Sequence, residues 1–197
     1  MPELETNGSK GQPAWVTGEL PSQYAVLANQ IAALQNNARQ YEQVAAVLWQ
    51  TGTPLTLAVR DLFAALAFET DLMDGQASYD VRVHLEDGRR LLVGVVGAPE
   101  GLTRKSPEIA RVLRALQEDA GEQDRVVVAV NAYCATPLAS RRDDPVTPDA
   151  LRLIQGLGAN LVATPTLFGL WKYSLQDMSG SKKNVLKLHK MDGGIFR

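Results

Sequence analysis

Asp80 opens the segment YDVRVHLEDGRRLLVGVVG, residues 79–97, and is the side chain in this sequence best placed to do chemistry. Tyr79, Val81, Val83 and Leu85 alternate with polar residues, the pattern of a half-buried strand, so Asp80, Arg82 and His84 share its other face. From its place at a strand start alone, Asp80 reads as a hydrogen-bonding edge residue. His84 reads as a surface histidine, because zinc needs more His or Cys partners than two histidines and one cysteine supply. Cys134 has no partner for a disulfide and no nearby catalytic histidine, and reads as an ordinary small side chain. The run Gly97-Ala98-Pro99-Glu100-Gly101 lacks the lysine and glycine spacing of a phosphate-binding loop.

The elements that position Asp80 follow from periodicity. The Asp87-Gly88 pair marks a tight turn, and residues 91–96 are apolar on both faces, as a central buried strand is. Gly94 within it weakens a strand unless something approaches closely, so it marks a packed neighbour or a ligand. A short strand is expected near residues 69–73, a helix with Ile109, Val112, Leu113 and Leu116 on one side, and a buried parallel strand over residues 126–130. A helix over residues 147–157, a strand over residues 161–163 and a last helix opened by Thr164-Pro165-Thr166 complete the order. Trp171 and Tyr173 on that last helix read as packing under the sheet, with base stacking as the alternative.

Upstream, residues 1–21 are polar, aperiodic and expected to be disordered. From Ser22, a capping residue, Tyr24, Leu27, Ile31, Leu34, Ala38, Tyr41, Ala45 and Leu48 recur at alternating spacings of three and four. That seam, in a helix over residues 22–50, predicts a coiled-coil homodimer. Thr51-Gly52-Thr53-Pro54 ends it and caps the next helix, with Pro54 at the first helical position. An α/β domain then spans residues 51–176, and residues 177–197 form a basic tail.

The chain has 197 residues, 45% of them hydrophobic, enough for one good core. It has no apolar run of membrane-spanning length and no signal-peptide layout, which predicts a cytoplasmic protein without a membrane partner. A net charge of −2 gives no global attraction for nucleic acid, so any such contact falls to local patches: Arg141 with Arg142, or the tail lysines Lys182, Lys183, Lys187 and Lys190 with Arg197.

The element order and the hairpin together resemble the restriction-endonuclease-like (PD-(D/E)XK) superfamily over residues 51–175. Thr51-Gly52-Thr53-Pro54-Leu55, Tyr79-Asp80, the run from Val126 to Asn131, Arg141 or Arg142, and NLVATPTLF at residues 160–168 carry the resemblance. It implies an α/β fold, a mixed central sheet flanked by helices, with the long N-terminal helix added. It also implies a site in which Asp80 and two further side chains, usually Glu-x-Lys, hold Mg²⁺ or Mn²⁺ and hydrolyse a phosphodiester. Gly94 and Val96 stand in those two slots, so a bacterial member with degenerate chemistry and no cofactor is expected. Loss of a carboxylate and an ammonium together costs several orders of magnitude in rate.

Three functions follow. The first is a self-associating pseudonuclease that binds DNA or protein. The second is a divergent metal-dependent nuclease in which Asp80, Glu100 and Lys105 are the working groups, Glu108 lying close to Lys105 in the sequence. The third is a scaffold that binds no nucleic acid.

Overall fold

The computed structural model describes residues 14–75, 77–141 and 144–197. The chain divides into two units, residues 1–41 and 42–197.

In the first unit, a 3-10 turn at Ala14–Glu19 precedes α1 (Ser22–Ala45), so helical structure begins before residue 20, where disorder was expected. Residues 1–13 lie outside the described residues. Tyr24, Leu27, Ile31, Leu34 and Tyr41 on α1 are all more than half exposed.

The second unit begins in the last turn of α1, where the expected seam gives way. Val44 and Val47 are the buried residues there, while Ala45 and Leu48 are half-buried. The α-helix ends at Ala45 and a 3-10 turn follows over Ala46–Leu48. Its period of three brings Val44 and Val47 onto one line and ends the heptad phase.

Helix α2 (Gly52–Ala65) starts two residues before Pro54, with Thr51 extended at its cap. Strands β1 (Glu69–Leu72), β2 (Val81–His84) and β3 (Arg90–Ala98) pair antiparallel in sequence. Helix α3 (Pro107–Arg114), extended by a π turn over Ala115–Asp119, leads to β4 (Asp124–Ala132), which lies parallel to β3. Helix α4 (Pro148–Gly156) leads to β5 (Asn160–Ala163), also parallel. With β6 (Gly194–Phe196), the result is a six-stranded mixed sheet in the order β1-β2-β3-β4-β5-β6.

The middle stretches of β3 and β4, residues 91–96 and 126–130, are apolar because they face a core on each side. Val93, Val127 and Ala129 face one core with Leu62 and Phe63 of α2. Leu92, Val126 and Val128 face the other with Val112 of α3 and Ile154 of α4. Helix α5 (Thr164–Ser174) packs Leu167 and Trp171 into the first core, Trp171 beside Phe168 with ring centroids 5.3 Å apart.

The expected basic tail is instead folded. Residues 178–190 form α6 (Met178–Lys190), capped by the Asp177 carboxylate, which accepts from Gly180 N–H at 2.8 Å. Val185 and Leu188 sit in the first core, and Gly194–Phe196 adds β6 parallel to β5. Three exposed lysines mask the spacing of Ser181, Val185 and Leu188, which is that of a helix with one buried face.

Among the described residues no helix is long and apolar enough to cross a membrane.

Candidate functional site

Asp80 stands just before β2, and its backbone N–H donates to Val93 O at 2.9 Å. Its carboxylate continues the ladder in place of backbone: Oδ2 accepts from Val95 N–H at 2.7 Å. Oδ1 accepts from an Nη of Arg111, on α3, at 2.8 Å. Both oxygens are therefore engaged, and the charge partner is a guanidinium.

The strand pairing places this ion pair beside the two slots expected to have lost their chemistry. Gly94 and Val96 line a cavity of about 10 Å³ with Ser78, Glu108 and Arg111. That volume is about the minimum for one water, far from a hydrated divalent ion. A Cβ built on Gly94 would meet nothing within 4 Å, so the close approach expected there is absent. The glycine that packing requires is Gly97, whose Cβ would fall 2.9 Å from Cβ and Cγ2 of Thr51.

Glu100 is exposed and lines a wider cleft with Gly97, Pro99, Ser106 and Glu108; Lys105, on the same loop, is also exposed. Glu108 borders both this cleft and the small cavity. Among the described residues no three His, Cys, Asp or Glu side chains gather as a metal site. With both Asp80 oxygens bonded, the donor set present does not fit Mg²⁺ or Mn²⁺.

On the same face of β2, Arg82 donates to the Tyr79 hydroxyl at 2.6 Å, and His84 Nε2 lies 2.8 Å from Asp71 Oδ2 on β1. His84 is thus a cross-strand partner at the sheet edge. Across the central pair of strands, Arg90 Nε donates to Asp124 Oδ1 at 2.8 Å, and a second guanidinium nitrogen binds Oδ2. Burial pushes the Asp124 carboxyl up, but the Arg90 hydrogen bond and Gly121 N–H outweigh it and hold it below its ordinary value.

Arg141 does something other than wait for phosphate. Its Nε donates to Thr136 O at 2.8 Å, one Nη to Asn131 Oδ1 at 3.0 Å, and the other to Leu48 O and, at 3.4 Å, to Cys134 O. Asn131 in turn donates to Gln50 O at 2.9 Å. The guanidinium thereby ties the chain after α1 to the end of β4, and its burial lowers the pKa. Arg142 lies outside the described residues.

Of the tail lysines, Lys182 lies 5.5 Å over the Phe68 ring and 3.8 Å from Glu86. Lys183, Lys187 and Lys190 are exposed on α6 at spacings of four and three, hence on one stripe.

Arg111 is the residue that sequence reading missed. It lies three positions after Glu108, on the same helical face, between the inward-facing Ile109 and Val112. The chain matches no known family model and no curated protein.

Proposed function

We propose that this chain is a catalytically silent protein of the restriction-endonuclease-like superfamily that self-associates through α1 and holds nucleic acid by its phosphates along α6. The carrying observation is the Arg111–Asp80 pair: a covalently tethered cation occupies the carboxylate that a catalytic metal would need. The element order α2-β1-β2-β3-α3-β4, with Asp80 just before β2 and Gly94 and Val96 beside one cavity, supports the kinship. The lysine stripe on α6 supports the binding role, which is local because the whole chain is slightly acidic. A cytoplasmic setting accords with this reading.

Incubation of the purified chain with plasmid, single-stranded DNA and RNA in Mn²⁺ tests it, and no cleavage is expected. Cleavage abolished by both Asp80→Ala and Lys105→Ala would establish the divergent nuclease instead. Gel-shift titration over salt separates binder from scaffold: phosphate contact weakens with ionic strength, whereas absence of any shift at low salt marks a scaffold.

A further inference from the structure

The exposed seam of α1 is close to a palindrome. Positions 24, 27, 31, 34, 38 and 41 carry Tyr, Leu, Ile, Leu, Ala and Tyr. Read against the reversed copy, Tyr24 meets Tyr41, Leu27 meets Ala38, and Ile31 meets Leu34. The spacings three, four, three, four, three also reverse onto themselves, so every pair falls at one level along the axis.

We infer that α1 pairs antiparallel with α1 of a second copy, about a two-fold axis between Ile31 and Leu34. This inference rests on the self-association proposed above and adds the orientation. A parallel, in-register pair would set Ala38 against Ala38 between a Leu34 layer and a Tyr41 layer, and that small layer cannot fill its holes. The antiparallel pair places each Ala38 against the larger Leu27, which evens the layers. It also sets the tyrosines at the two ends of the seam, where their hydroxyls stay in water.

The flanks permit this approach. Arg39 and Glu42 are the only charged residues of α1, and Ala28, Gln30, Gln35 and Asn37 border the seam. Nothing there sets the opposite-charge pairs between e and g positions by which parallel coiled coils choose orientation. On the seam Tyr24, Leu27, Ile31, Leu34 and Tyr41 are all more than half exposed. At roughly 100 Å² for each such side chain, two copies would bury on the order of 1,000 Å², the low end for specific association.

Cysteine crosslinking in a Cys134→Ser background tests the orientation. Antiparallel pairing brings residue 27 to residue 38 of the other copy, while like residues lie about 16 Å apart along the axis, beyond disulfide reach. The Leu27→Cys/Ala38→Cys double variant should therefore form dimers under mild oxidation at least tenfold more than either single variant. Equal crosslinking by Leu27→Cys alone would overturn the antiparallel arrangement. So would failure of all three to crosslink while sedimentation equilibrium of the parent chain gives a dimer mass. A parent chain monomeric at every concentration would overturn self-association itself, a distinct result.

Discussion

Arg111 donates to Asp80 Oδ1 at 2.8 Å while Val95 N–H holds the other oxygen, so the carboxylate is a joint between β2, β3 and α3. Asp80→Ala should remove that joint and leave Arg111 without its partner. Because Arg111 is more than a third exposed, the expected loss is about 1–2 kcal/mol, toward the low end for hydrogen bonds to charged groups. Urea denaturation measures it, and Mg²⁺ should change neither the midpoint of the parent chain nor that of the variant. A midpoint in the parent that rises with Mg²⁺ concentration would show a bound ion.

The Asp124–Arg90 pair makes stability depend on acid. The Asp124 carboxyl is held below its ordinary value of 3.8 in the folded chain, so its contribution is complete above that value. It is lost as the pH falls through the folded value. The parent chain should therefore lose stability toward Asp124→Asn as the pH is lowered below about 4, and exceed it above pH 5. Thermal melts of both chains across that window check the sign.

Two glycines of β3 should respond in opposite ways. Gly94→Ala enters open space and relieves a strand of its most flexible residue, for a gain of about 0.5 kcal/mol. Gly97→Ala drives a methyl against Thr51 at 2.9 Å, for a loss of about 1–3 kcal/mol. Paired urea melts decide, and a loss at Gly94 would reveal a close neighbour there.

On α6, Lys183→Ala, Lys187→Ala and Lys190→Ala together should flatten the salt dependence of DNA binding. Each lysine that neutralises a phosphate contributes about 0.9 to the slope of log affinity against log salt. Arg141→Ala should leave that slope alone while costing about 2–3 kcal/mol of stability, because it unties Leu48, Asn131 and Thr136. A slope changed by Arg141→Ala and not by the lysines would exchange their roles.

The sheet was legible where burial leaves one chemical signature. Val126 to Val130 and Leu91 to Val96 have no polar face because helices cover both sides, and each run appears in the structure as a longer central strand. Asp80 was legible as the residue just before β2, although the alternation breaks beside it: Tyr79 packs in the second core while Val81, Val83 and Leu85 pack in the first. The partner of Asp80 was not, because the pairing with Arg111 spans a crossover and depends on how α3 lies over the sheet. Arg141 misled for a related reason: two adjacent arginines read as surface charge, and nothing local tells that the first is spent on carbonyls of Leu48 and Thr136. Helix α6 was hidden by lysines on its outer face, although Asp177 and the Ser181, Val185, Leu188 spacing signal it.

Strand β1 is four residues long, mostly exposed, and carries Glu69 and Asp71, the latter tied to His84. Strand β6, at the other margin, has only three residues. Neither rim offers a long neutral template on which a foreign strand can dock. Fibril-like growth by sheet extension is thus discouraged at both ends.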